Sequence, residues 1–417
     1  MSACTNSSIV SVAANTRRGE AQSSDTVAVP EPSELALRYH RTGNVLWAAE
    51  TGLALLIPAV LLFTGFSSRI RGWAGRLGRR WLPTLVLYAL LFSLVMALLT
   101  LPLAFYAGYV RQHEYGLSNQ SPGRWVGEWL KGVAVSGVGL SLVLWIPYLL
   151  LRRSPRRWWL YAGLASLPIT ALLLIIVPIW VDPLFNEFGP MQDKRLESGI
   201  LRLAQQAGID SSRVYQVNKS ADTKTVNAYV TGIGRTKRIV IWDTLLAKLD
   251  PDQILFVTAH EMGHFVLRHT LAIILVAGLL TTVSLYMVHH LSDRLIGRFS
   301  RYFGFDRLSD VASFPLLLLL GSLASLVLTP AVLAFSRFQE VEADRFALEL
   351  TRSNRAAATT FVTLQEENLV VPRPSWLYIL WRGSHPSLAS RVEFANYYRP
   401  WESNQELRYQ HLFRRVD

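Results

Sequence analysis

The sequence holds a single cysteine, Cys4. No disulfide can close within the chain, so the redox compartment stays open. A thiolate zinc site is excluded, and any metal must be held by histidine and carboxylate. Charge is scarce too. Only 17% of the 417 residues are charged, against about 25% in soluble domains. With 51% hydrophobic residues, that deficit implies a surface turned largely towards lipid. Acidic residues are the rarer sign, 30 against 42 basic, and the net charge is +12. The arginines gather between apolar runs, as in Arg76, Arg79 and Arg80, then Arg152, Arg153, Arg156 and Arg157. That placement suits loop topology signals, and no nucleic-acid motif of the usual classes is present. A secretory signal is missing as well. Residues 1–43 are rich in Ser, Thr and Ala without an early apolar core, and are expected to form a disordered leader.

What the chain has in excess is uninterrupted apolar sequence. Six stretches run without a charge for long enough to cross a hydrocarbon core. They are Thr51–Ser68, Trp81–Val110, Gly132–Leu151, Trp158–Val181, Thr270–Val288 and Val311–Ser336. Trp81, Trp129, Trp158, Trp159 and Trp180 lie at or near their ends, where amphipathic rings favour the headgroup region. Between the fourth and fifth stretches lies a polar segment. It reads as an amphipathic helix near Leu196–Ala207, a strand at Val214–Val217, and two further strands, 227–232 and Arg238–Trp242, joined by Gly232 to Lys237. The expected organisation is a leader at 1–43, membrane helices at 44–182, a catalytic segment at 183–269, two membrane helices at 270–336 and a second catalytic segment at 337–417.

The chemistry is carried by His260-Glu261-Met262-Gly263-His264. Its helix has a marked start, with Asp250 as cap, Pro251 in the first helical position and Gln253 where a capping box wants Glu or Gln. Histidines at i and i+4 share one helix face and can reach one ion. Glu261, about 100° further round, can reach a water on that ion without being a ligand. A matching carboxylate pair, Glu340 and Asp344, follows the sixth apolar stretch. Glu340 is expected as third ligand. Asp344, four residues on, is expected to fix the tautomer of a ligating histidine, while Glu342 points elsewhere. Two histidines and a glutamate leave a fourth zinc position open, as a catalytic site requires. Glu261 is then the general base. His113, His269, His289 and His290 lie near span ends and read as interfacial.

The pairing of His260-Glu261-x-x-His264 with Ser336-Arg337-Phe338-Gln339-Glu340-x-x-Ala343-Asp344 resembles the membrane CAAX prenyl proteases and their HtpX-like relatives. So do Asn227-Ala228-Tyr229, the run 238–246, Ser384-His385-Pro386-Ser387 and the polar loop Glu114–Asn119. The resemblance spans about residues 40–400. It implies a mainly α fold, a polytopic membrane helical bundle of about six spans with a gluzincin-type zinc peptidase domain carrying a small β-sheet. It implies one Zn2+ per chain, held by His260, His264 and Glu340. His385 and Arg391 match positions that bind substrate or stabilise the oxyanion. Asn227, Ala228 and Tyr229 match the strand that holds an extended substrate by edge pairing. The implied partners are the lipid bilayer and a peptide or protein substrate, lipidated or membrane-embedded, with no nucleic acid and no need of an oligomer.

The chain departs from the family by lacking the first of the usual seven spans. It also has Thr225-Val226 where histidine and serine are frequent, which leaves prenyl specificity open. Orientation is contested: the arginines of the short loops favour a site on the outer side, whereas the resemblance implies a cytoplasmic one. Within the peptidase reading, processing of prenylated CAAX proteins competes with quality control of membrane proteins without prenyl specificity. Two other readings stand beside the peptidase: a non-catalytic membrane scaffold keeping a zinc site, and a transporter, for which Glu50 is the one ionisable residue at a span edge.

Overall fold

A computed structural model describes residues 26–209, 213–231 and 238–415. Cys4 and the start of the expected leader lie outside these residues. From Thr26 onwards the leader is instead packed structure. Val27 exchanges two hydrogen bonds with the Asn396 side chain, at 3.0 and 2.9 Å, and the Pro30 carbonyl accepts from Gln365 Nε2 at 2.9 Å. Helix α1 (Glu34–Phe63) then starts under a Ser33 cap, whose Oγ accepts from Ala36 N–H at 3.1 Å. It begins well before the predicted Thr51. The count of charge-free residues starts only after Glu50, although the preceding turns are helical and face protein. The helix ends at Thr64 because Gly65 turns left-handed, with φ of 63°.

The amphipathic α2 (Phe66–Gly78) packs on α3 (Trp81–Phe105), which continues through a π turn to Glu114. Helix α4 (Pro122–Arg153) starts with Ser121 as cap, and α5 (Trp158–Ile176) runs through a second π turn containing Pro178 to Leu184. The polar segment follows as β1 (Phe188–Pro190), α6 (Lys194–Gln206), β2 (Arg213–Val217), β3 (Ala228–Thr231) and β4 (Arg238–Trp242). After α7 (Asp243–Lys248) come α8 (Pro251–Val266), which carries the histidine motif, α9 (His269–Phe303) and α10 (Phe314–Thr351). The chain closes with α11 (Asn354–Glu367), α12 (Trp376–Trp381) and α13 (Leu388–Tyr397). Among the described residues, six helices are long and apolar enough to cross a membrane. Their outward faces carry Leu98, Leu142, Leu164, Leu279 and Val327, all about half-exposed or more, which suits a lipid surround.

The bundle has two distinct ends. Helices α1 and α9 both run away from the sheet, and Phe63 meets Phe303 edge-on, 5.3 Å between centroids, at the far end. There an Arg71–Asp310 ion pair ties α2 to the loop that precedes α10. At the near end the four strands lie in the order β1-β2-β4-β3. Strands β2 and β4 are parallel, with Val214 opposite Ile239, and β3 runs antiparallel to β4 with Ala228 opposite Ile241. Central β4 buries Ile239, Val240 and Ile241 in succession, as a strand covered on both faces does. The two predicted strands are therefore present as an antiparallel pair, their expected connection from Gly232 to Lys237 lies outside the described residues, and β3 is an edge strand. The strands expected in the polar segment did not include β1, whose Gly189 and Pro190 are poor strand formers.

Helix α10 is one continuous element of 38 residues, roughly 57 Å long. That is nearly twice the ~30 Å hydrocarbon thickness. It can thus cross the membrane and carry Glu340 and Asp344 into the polar domain on the same rigid rod.

Candidate metal centre

Helix α8 is set by its start and its apolar face. The Asp250 N–H donates to Gln253 Oε1 at 2.9 Å, one arm of the expected capping box. Ile254, Phe256 and Met262 are buried, each contributing roughly 1.5–3 kcal/mol, and they press α8 onto the sheet and onto α10. Gly263 permits the approach. A Cβ there would lie 3.2 Å from Phe346 Cβ and 3.3 Å from Ala343 Cα. The two helices that carry the histidines and the carboxylates therefore meet almost backbone to backbone.

The crossing brings His260 Nε2 to 3.3 Å from Glu340 Oε2 and His264 Nε2 to 3.3 Å from Glu340 Oε1. The two Nε2 atoms are 3.1 Å apart. Glu340 Oε2 is buried and has no hydrogen-bond donor among the described residues. A carboxylate oxygen out of water without a partner is costly, and two imidazole nitrogens beside it complete a donor set suited to a divalent cation. His260, His264 and Glu340 form one group with ligand atoms within 4.8 Å.

Around this group the remaining residues sort themselves by distance. Asp344 Oδ1 lies 2.8 Å from His260 Nδ1, on the side of the ring opposite the Nε2 that faces Glu340. Arg391 donates from Nε to Asp344 Oδ2 at 2.8 Å and from Nη2 to Asp344 Oδ1 at 2.6 Å, and Nη2 also comes within 3.8 Å of Glu340 Oε2. Burial alone would lower the Arg391 pKa, but Asp344 and then Glu340 hold it above its ordinary value. His385 Nε2 stands 3.4 Å from Glu340 Oε1, with its side chain 55% exposed, and its Nδ1 meets Ser384 Oγ at 2.8 Å. Burial pushes the Glu261 carboxyl above its ordinary pKa, against the pull of His260 and His264. Glu342 turns away to Arg345, Arg408 and Tyr409, as expected.

Two residues depart from their predicted places. His269, read as interfacial, is buried, and its Nδ1 lies 2.9 Å from His264 Nδ1. The turn that ends α8 swings it back, with Arg268 left-handed at φ 57°, and spacing alone carries no sign of such a reversal. Tyr229 does not line the site. A cavity of about 600 Å³ opens from His260 and Glu261 and is lined by Asn227, Ala228, His385 and Arg391, but not by Tyr229. Side chains alternate along a strand, so Tyr229 faces the other way, towards Asp182 and Arg238.

The family model described as Peptidase family M48 matches residues 190–399. An uncharacterized metalloprotease of Bacillus subtilis (strain 168), YhfN, is 38% identical over 374 residues, which cover 89% of this chain and 87% of that one. The chain belongs to peptidase family M48. A second family model, the N-terminal region of CAAX prenyl proteases with five membrane helices, matches residues 29–187. Four of the six spans fall in that region of this M48 peptidase. CAAX prenyl protease 1 of Saccharomyces cerevisiae is 27% identical over 325 residues, covering 74% of this chain and 71% of that one. The crystal structure of S. mikatae Ste24p shares the fold, with a TM-score of 0.73 at 23% identity, covering 86% of this chain and 87% of that one. This M48 peptidase is thus an integral, multi-pass membrane metallopeptidase resembling the CAAX prenyl proteases. The scaffold and transporter readings give way to it.

Proposed function

We propose that this M48 peptidase is a zinc endopeptidase that cleaves peptide bonds of lipidated or membrane-associated proteins, with His260, His264 and Glu340 as the ligands. The observation that carries the reading is the meeting of three ligand atoms from α8 and α10 at 3.1–3.3 Å, with Glu261 at the mouth of the adjoining cavity. Zinc supplies Lewis-acid chemistry at such a site. Glu261 takes the proton of the attacking water and passes it to the leaving amine. Asp344 holds His260 in the ligating tautomer. His385, exposed and beside Glu340, is placed to donate to the oxyanion. Arg391 spends both arms of its fork on Asp344 and acts through that carboxylate. The open edge of β3 at Asn227 and Ala228 takes up an extended substrate by strand pairing.

Removal of metal by a chelator is expected to abolish cleavage of a membrane-bound peptide, and one zinc per chain to restore it. A lipidated peptide should exceed its unlipidated form in kcat/KM by at least about tenfold, since several buried methylenes at about 0.8 kcal/mol each supply more than that. Equal rates for the two peptides would remove the lipid preference. Restoration by another metal and not by zinc would remove the zinc assignment.

The site is proposed to face the cytoplasm. The motif resemblance supports this, against the loop arginines Arg76, Arg79, Arg80 and Arg152–Arg157. A reporter fused after Asp417 that is active only in the cytoplasm should light up. An exoplasmic signal reverses the orientation.

A further inference from the structure

Helix α12 reads Trp-Leu-Tyr-Ile-Leu-Trp, an apolar run without a charge, and none of its residues is buried by the rest of the chain. Trp376 is 69% exposed and Leu377 51%. The other side of the helix is occupied. Tyr378 and Ile379 line the cavity, and the Tyr378 ring lies 4.7 Å from that of His40 on α1. Trp376 and Leu377 are thus an outward apolar face that the described residues leave uncovered, and such a face marks a contact surface.

One hydrogen bond fixes the depth of α12. Trp381 Nε1 donates to the Leu326 carbonyl at 3.1 Å. Within an α-helix that carbonyl would accept from the N–H four residues on. The residue there is Pro330, which has no N–H. Leu326 lies twelve residues beyond Phe314, the start of α10 beside the Arg71–Asp310 pair at the far end of the bundle. Twelve residues rise roughly 18 Å along the axis, which stops well inside a hydrocarbon core of ~30 Å. Water is absent at that depth, and an unmet carbonyl there is costly. The Trp381 indole therefore supplies, within the membrane, the donor that Pro330 withholds. Arg337, just past the sixth apolar stretch, completes the attachment. Its Nη1 donates to the Ile379 carbonyl at 2.8 Å and to the Gly383 carbonyl at 2.7 Å. A helix end otherwise leaves such carbonyls to water. Meeting them from protein is what backbone at membrane depth requires.

We propose that α12 is embedded in the bilayer, with Trp376 and Leu377 against lipid acyl chains at the near boundary of the hydrocarbon and Trp381 anchoring it to the sixth span. Indole rings favour that boundary. The outward residues Leu323, Val327 and Phe338 of α10 are exposed as well, so lipid that surrounds the span meets α12 without a break. The C-terminal polar segment is then fastened to the membrane four residues before His385, between α10 and α13. No atom of the metal centre takes part, and the anchor stands whatever the enzyme cleaves.

The single cysteine makes site-specific labelling direct. Full-length Cys4→Ser protein carrying Trp376→Cys or Leu377→Cys is labelled with a nitroxide and placed in lipid nanodiscs. Leu142→Cys on the outward face of α4 serves as the lipid reference, and Glu402→Cys as the water reference. Dissolved oxygen concentrates in hydrocarbon, whereas a charged nickel chelate stays in water. Both α12 labels are expected to collide with oxygen and escape the chelate, as at Leu142→Cys. Collision with the chelate at either site, as at Glu402→Cys, overturns the proposal. A label that neither agent reaches is covered by protein, such as a second copy of the chain, and overturns the lipid assignment. Thermal unfolding in the same nanodiscs reads the anchor. Trp381→Phe should lower the melting temperature by several degrees, because the Leu326 carbonyl loses its donor. Pro330→Ala restores an N–H to that carbonyl, and in its presence Trp381→Phe should cost far less. An equal drop in both backgrounds removes Trp381 as the anchor and overturns the proposal.

Discussion

Glu261→Gln is expected to keep its metal and lose at least about 10²–10⁴-fold in kcat. The amide has nearly the shape of the carboxylate, so the packing of α8 against α10 is undisturbed, and Glu261 is not among the three residues proposed as ligands. What the amide cannot do is accept a proton. The raised pKa of Glu261 has burial as its largest cause, and removing a charge from that setting should leave the fold as stable as before or slightly more so. The measurements are metal content per chain by mass spectrometry, melting temperature, and kcat on a membrane-bound peptide. Unchanged turnover would remove Glu261 from the chemistry. Loss of the metal together with activity would make Glu261 a ligand, and the roles of the motif would have to be redistributed.

The parts of this protein that could be read from its sequence are those governed by a short period or a local signal. Six apolar runs gave six spans because each helix must satisfy its own backbone within the hydrocarbon. Asp250, Pro251 and Gln253 mark the start of α8 because capping is decided within four residues. Glu340 and Asp344 could be linked to the histidines because one helical turn sets both pairs on a face. Three features stayed hidden for related reasons. Helix α1 starts at Glu34 rather than Thr51 because its first half carries Glu34, Arg38, Arg41 and Glu50, which a charge-free window rejects, on a face that also turns Tyr39 and His40 to a polar cavity. His269 reaches His264 only through a left-handed turn at Arg268, a conformation nothing in an arginine announces. The role of Gly263 depends on what lies opposite it, and Phe346 and Ala343 are some eighty residues away in the chain. Long-range convergence is a property of packing, and one sequence states only the local half of it.

Arg391→Leu is expected to destabilise the protein by about 3–5 kcal/mol and to weaken metal binding by about 10–100-fold. Asp344 is 1% exposed and sits between Arg391 and His260, with contacts of 2.6 and 2.8 Å to the first and 2.8 Å to the second. Without the guanidinium its charge is buried and half-compensated, and it can relieve that cost by taking a proton, which would end its hold on His260. Arg391→Lys keeps the positive charge but not the two-pronged geometry, so it should recover part of the stability and little of the metal affinity. Arg391→Leu combined with Asp344→Asn removes both charges, and should fall short of the sum of the two single losses because the residues are in contact. Chelator competition and thermal unfolding read these effects without any turnover. If Arg391→Leu lowers kcat while metal affinity and melting temperature stay at parent values, Arg391 acts on the substrate itself. The chain of contacts from α13 through Asp344 to His260 would then be packing without a part in holding the metal.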